Sequence, residues 1–229
     1  MFGLDDMIAN LSDGTTFGIV MAVAVLLGLR HATDPDHLAA VTTVTAGGSG
    51  HGGARQSARL GLAWGGGHAL TLFAFGLPIV LFAAFLPGRI QQGAETLVGL
   101  VIIALAIWLL ARWRRGHFNP ANGNTGNDAR TPRQAFGVGL LHGVGGSAGV
   151  GAILLATIDN RALAVAGLVV LAAFTAVSMT LLTTGLGATL ARRPVQRSLA
   201  RAIPALGVVS LGFGAWYALG ALELAPYYF

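Results

Sequence analysis

Residues 30–37 read Arg30-His31-Ala32-Thr33-Asp34-Pro35-Asp36-His37. Two imidazoles and two carboxylates thus fall within seven residues, a compact set of nitrogen and oxygen donors. Imidazole suits Ni, Co, Zn and Cu, whereas hard all-oxygen sites suit Mg and Ca. The chain has no cysteine, so disulfides, thiolate metal sites and thiol-based electron carriage are excluded. Without thiolates, the natural guest is a borderline divalent ion such as Ni²⁺ or Co²⁺. A competing reading is a buried Arg–Asp pair with the histidines in hydrogen-bonding roles. For Asp34 a helix cap is an equal alternative to a ligand role, and Arg30 reads as charge balance for a carboxylate.

These polar residues lie between the apolar runs Phe17–Leu29 and Leu38–Val44. Of the 229 residues, 54% are hydrophobic and 10% charged, against roughly 25% charged in ordinary soluble domains. Mean hydropathy is +0.70. That balance excludes a globular cytosolic enzyme and a disordered chain, and it places the protein in a bilayer. An unpaired charge at the bilayer centre costs about 2.5–3.5 kcal/mol on insertion scales. Arg30, Asp34 and Asp36 must therefore pair, face a polar cavity or bind something. Pro35 lacks an N–H and disfavours helical geometry at Asp34, while Asp followed by Pro is a helix start. The span is expected to break into two half-helices around His31–Asp34. Such breaks survive in a membrane only where protein or a water-filled cavity satisfies the freed groups.

A membrane helix needs about 20 mostly apolar residues. Six stretches qualify, near Thr16–Val44, Leu60–Leu86, Ala94–Ala111, Gln134–Ile158, Ala162–Leu190 and Ile203–Leu222. The first 16 residues carry Asp5, Asp6 and Asp13 and no positive charge, unlike a secretory signal, so the first stretch is expected to be retained. All 14 basic residues are arginines. Loops one, three and five hold eleven of them and loops two and four hold two. The positive-inside rule then puts both termini outside a multi-pass cytoplasmic (inner) membrane protein. The pI of about 11.0 accordingly marks the cytoplasmic side and not a nucleic-acid partner.

The expected architecture is all-α, with six transmembrane helices as two inverted three-helix repeats. Residues 1–113 form the first repeat, 114–133 a flexible, solvated cytoplasmic loop rich in Gly, Asn and Pro, and 134–229 the second repeat. Gly28-Leu29-Arg30-His31 resembles Gly139-Leu140-Leu141-His142, and Gly99 and Trp108 match Gly207 and Trp216 at an offset of 108. Three spans is an odd number, so the second copy sits upside down relative to the first. Transporters built this way hold their substrate at the repeat interface near the midplane.

Two further histidines qualify as ligands. His68 follows Gly65, Gly66 and Gly67 inside the second span, and His142 lies between Gly139 and Gly143; the alternative for each is a packed, hydrogen-bonding histidine. Ser147, Thr175, Ser178, Thr180, Thr183 and Thr184 either line a cavity or bond back to their own helix carbonyls, the latter being the commoner fate. His51, in the Gly-rich first loop, reads as incidental. No phosphate-binding loop, nucleophile elbow or zinc-protease helix is visible, so the chain is not expected to be an enzyme.

His31-Ala-Thr-Asp-Pro-Asp36-His37 resembles the H-x4-D-H signature of the nickel/cobalt transporter family, in its usual setting of Arg-His-Ala-x-Asp-x-Asp-His. Trp64-Gly-Gly-Gly-His68 is similar to that family's small-residue-then-His motif, and His142-Gly-Val-Gly-Gly-Ser147-Ala-Gly to a motif of its shorter, urease-accessory-type branch. The resemblance runs from about Phe17 to Leu186. It implies a secondary transporter for Ni²⁺ or Co²⁺ with His31, Asp36 and His37 as metal ligands or relay groups. His68 is a further candidate by the same resemblance, while His142 and Asp34 join the candidate metal residues from their own settings in the sequence. It implies no permanent cofactor, the transported ion and the bilayer as partners, and it leaves oligomerisation open. There are departures: larger members are described with eight spans, and their second acidic signature is not evident here. Efflux members often carry a His-rich cytosolic loop, whereas the third loop has His117 alone, which favours uptake. The alternatives are an exporter of another metal or small solute on the same fold, and a non-transporting accessory membrane protein that delivers metal for urease or hydrogenase.

Overall fold

The Asp34-Pro35 pair ends one helix and starts another. Helix α1 (Leu4–His31) stops one residue past Arg30, and α2 (Pro35–Gly48) opens on the proline. Proline fits the first turn because its missing N–H would be unpaired there anyway. The two segments meet at an angle of 46°. The break is closed by local bonds. Thr33 donates both its N–H and its hydroxyl to the Arg30 carbonyl, at 2.9 and 2.6 Å. Asp34 N–H donates to the His31 carbonyl at 3.2 Å, and the Asp34 carbonyl accepts from Leu38 N–H at 2.9 Å. A long-range bond is added from α7 (Arg161–Leu190), where the Ser178 hydroxyl donates to the Gly28 carbonyl at 2.8 Å.

The remaining helices are α3 (Gly53–Phe82), α4 (Gly88–Arg114), α5 (Pro132–His142), α6 (Ala148–Ala156) and α8 (Arg193–Ala221). This computed structural model describes residues 4–48, 53–82, 88–116, 131–143, 148–190 and 192–226, and no strand occurs among them. Helix α5 starts on a capping box: Thr131 Oγ1 accepts from Gln134 N–H, and Gln134 Oε1 accepts from Thr131 N–H. Among the described residues, helices α3, α4, α7 and α8 are each long and apolar enough to cross a membrane, and the bent α1–α2 pair brings the number to five where it counts as one broken span. Their outward faces carry exposed Leu26, Leu62, Leu181 and Val209. A helix that is apolar on both its buried and its outward face belongs in lipid. The chain is therefore an all-helical membrane protein.

The expected fourth span, Gln134–Ile158, corresponds to two short helices, α5 and α6, with residues 144–147 outside the described set. Several helices also outrun their apolar stretches: α1 begins at Leu4, α3 at Gly53 and α8 at Arg193. Hydropathy marks the part of a helix that can sit in lipid, not where its backbone bonding ends. Most of the expected third loop, with His117, lies outside the described residues, as do His51 and Ser147.

Helices α3 and α7 pack along one another, α1 lies on α7, α5 lies on α3, and α4 pairs with α8. One apolar cluster joins Ala24, Leu72, Ile79, Val80, Leu155 and Leu168. A second joins Ala40, Val41, Leu60, Trp64, Leu105 and Met179. Along α3, His68 falls between Trp64 of the second cluster and Leu72 of the first, so a polar layer separates two apolar ones. In the α4–α8 pair the contacts are reciprocal. A Cβ at Gly99 would lie 2.8 Å from Ala218 Cβ, and one at Gly207 would meet the Leu110 side chain. Each partner of the first contact lies 108 positions from one partner of the second.

At the far end, Arg161 Nη1 donates to the carbonyls of Ala156 and Val80 at 3.1 and 3.2 Å. This cation, counted above for topology alone, ties the carbonyl ends of α3 and α6, where the helix dipole favours positive charge.

Candidate metal centre

His31 closes α1, Asp36 and His37 lie in the first turn of α2, His68 is at the centre of the 30-residue α3, and His142 closes α5. The backbone of α3 and α5 interlocks to bring the last two together. A Cβ at Gly139 would collide with the Trp64 carbonyl, and one at Gly67 with the Phe136 carbonyl. A Cβ at Gly143 would lie 2.7 Å from the His68 carbonyl. Only glycine allows the two helices to touch backbone to backbone here. Gly66, from the same run, has nothing within 4 Å and takes no part. Across this contact the Thr71 hydroxyl donates to the Leu140 carbonyl at 3.0 Å.

Five of the six residues expected at the site converge. His31 Nε2 and His68 Nε2 are 2.7 Å apart, a hydrogen bond in which one ring donates. His37 Nδ1 donates to Asp36 Oδ1 at 3.0 Å, and His142 Nε2 donates to Asp36 Oδ2 at 3.2 Å. The His37 ring centroid is 4.4 Å from that of His31, 5.0 Å from His68 and 4.5 Å from His142. His37, His68 and His142 are each 0% exposed. The donor atoms fall into two sets, His31/His37/His68 and Asp36/His37/His142, with the atoms of each set within 4.8 Å of one another.

The sixth residue, Asp34, belongs to neither set. Its Oδ2 is 3.4 Å from His31 Nδ1 and its Oδ1 is 3.4 Å from Arg30 Nη2. It stands behind His31, the place that carboxylates commonly take behind metal-bound histidines. Arg30 plays the charge-balancing part expected of it, from a side chain that is 69% exposed.

The fit of a cation can be judged from unmet bonding. His37 Nε2, His68 Nδ1 and His142 Nδ1 are buried with no hydrogen-bond partner among the described residues. A buried polar atom left unpaired costs about 1–3 kcal/mol. These three imidazole nitrogens and the Asp36 carboxylate are donors whose chemistry suits a borderline divalent ion.

Trp64 was quoted above only as part of a motif. Its ring lies 5.9 Å from that of His37 and 6.1 Å from that of His142, forming an apolar wall. The signal was its i, i+4 spacing from His68, which puts both on one helix face. Among the hydroxyls, Thr180, Thr183 and Thr184 bond back to carbonyls of their own helix. Ser178 does so as well and also reaches across to α1.

The fold and the site together define a helical membrane protein with a buried His/Asp cluster gathered around the centre of α3. Over 155 residues the chain is 26% identical to the urease accessory protein UreH of Bacillus sp. (strain TB-90). The match covers 62% of this chain and 64% of that protein, just under two thirds of the relative's length. The resemblance to the urease-accessory branch, read from the motifs, is thus carried by a named relative. No family model and no solved structure matches the chain.

Proposed function

We propose that this protein moves Ni²⁺ or Co²⁺ across the cytoplasmic membrane as a secondary transporter, in the direction of uptake. The observation that carries the reading is the convergence of His31, Asp36, His37, His68 and His142, with three imidazole nitrogens unpaired, at mid-length of a membrane-spanning helix. A partly dehydrated divalent ion there exchanges water for imidazole and carboxylate donors. An accessory role to urease, taken from the relative's name, favours nickel over cobalt.

The architecture we propose is six spans in two inverted repeats, 1–113 and 134–229, joined by the 114–133 loop. In this reading α5 and α6 form a broken span like α1 and α2. The reciprocal Gly99–Ala218 and Gly207–Leu110 contacts support it, because a two-fold axis relating α4 to α8 generates such pairs. So does Gly28, which approaches α7 at the Leu171 carbonyl as Gly139 approaches α3 at the Trp64 carbonyl. Both termini lie outside, and access alternates by rocking one repeat against the other. The chain's lack of cysteine makes single-cysteine labelling a clean test of sidedness.

Uptake of ⁶³Ni into vesicles holding the purified protein tests the function. Flux competed by Co²⁺ supports the transporter. Flux of another solute alone supports the exporter reading, and no flux with retained metal binding supports an accessory metal carrier.

A further inference from the structure

We infer that the centre holds one ion at either of two overlapping positions and that His37 is the ligand common to both. The inference rests on the metal-site reading above and concerns how that site is divided. The converging donors separate into His31/His37/His68 and Asp36/His37/His142. The outer members of the two sets stand apart: the rings of His68 and His142 are 6.2 Å between centroids, whereas each lies 5.0 Å or less from His37. Two nitrogens bound to one ion at metal–imidazole distances of about 2.0–2.1 Å lie within about 4.2 Å of each other, and the donor atoms form two separate sets even at a limit of 4.8 Å, so a single ion position serves one set and not both.

The chemistry of His37 makes the positions exclusive. A neutral imidazole has one nitrogen bearing hydrogen and one free lone pair. His37 Nδ1 faces Asp36 Oδ1 at 3.0 Å, and His37 Nε2 has no partner among the described residues. With the ion on Nε2, beside His31 and His68, Nδ1–H donates to Asp36, which then orients the ring from behind. With the ion on Nδ1, Asp36 and His142 become direct ligands and the ring's single hydrogen resides on Nε2. The ring carries one proton in both states; only its position and that of the ion change. The first set joins the α1–α2 break to α3, and the second joins it to the end of α5. Movement from one position to the other therefore exchanges the His31 and His68 donors for those of Asp36 and His142, with His37 a ligand in both through opposite ring nitrogens.

The test is Co²⁺ binding to the full-length protein in lipid nanodiscs, with visible absorption as the readout. His68→Gln leaves the Asp36/His37/His142 set, and His142→Gln leaves the His31/His37/His68 set. Association constants of exclusive positions add, so at least one of these variants must stay within about twofold of the parent affinity. The retained ligands differ, so the two Co²⁺ spectra differ, and the parent spectrum is a weighted sum of them. His31→Gln/His68→Gln binds within about twofold of His68→Gln alone. His68→Gln/His142→Gln and His37→Gln each lose roughly 100-fold or more. Asn in place of Gln at the same positions supplies a second series should a variant misfold. The inference is overturned if His68→Gln and His142→Gln each weaken binding by more than about twofold, the behaviour of one site using every ligand. A parent protein that binds no Co²⁺ overturns the metal-site reading itself and this inference with it.

Discussion

The Nε2 atoms of His31 and His68 face one another at 2.7 Å, joining the end of the broken α1 to the centre of α3. Two imidazoles at that separation share a proton, one ring donating to the lone pair of the other. His37 stacks edge-on against both rings, which makes it the residue whose loss is felt by every donor. His37→Ala is expected to abolish ⁶³Ni uptake in vesicles while the protein still inserts and elutes as the parent does. Parental uptake by this variant would remove the assigned site.

The α3–α5 interlock yields a prediction with an internal control. Gly139→Ala forces a methyl group into the Trp64 carbonyl, whereas Gly66→Ala meets nothing within 4 Å. Overpacking of this kind costs typically 1–3 kcal/mol, or roughly 2–12 °C in Tm for a chain of this size. Thermal unfolding in detergent should show that fall for Gly139→Ala and no fall for Gly66→Ala. Equal Tm values for the two would mean that the helices do not touch there.

Asp34 and Arg30 form a pair with unequal consequences. Arg30 is largely exposed, and exposed ion pairs contribute only about 0–1 kcal/mol. Asp34 in addition steadies His31 from behind, a relationship whose loss commonly costs 10–100-fold in metal affinity. Titration calorimetry with Ni²⁺ should show Asp34→Asn weakened by about that factor and Arg30→Gln close to the parent. The reverse ranking would move the ligand role from His31 to another residue.

Metal binding at this centre should fade in acid. An imidazole binds a metal through a neutral nitrogen, so protons compete with the ion. Apparent Ni²⁺ affinity, followed by equilibrium dialysis from neutral to acid pH, is expected to fall. Affinity independent of pH over that range would mean that carboxylates alone hold the ion.

Much of this protein is written in local sequence. Apolar runs of bilayer length announce the spans because lipid demands them of any crossing helix. The break at Asp34-Pro35 is legible because a proline's missing N–H and the strain it places on its predecessor act within two residues. The polar residues that converge could also be picked out, since a buried ionisable group in a membrane is costly. Tertiary structure alone decided how those residues combine. His68 and His142 are 74 positions apart, and they meet because two glycine-lined backbones close on one another, a matter of helix packing that no local rule encodes. The same packing sets Asp34 behind the cluster and Asp36 within it, and it gives His37 a neighbour on each side. Helix ends past the apolar stretches were likewise illegible, because backbone hydrogen bonding continues where hydropathy stops.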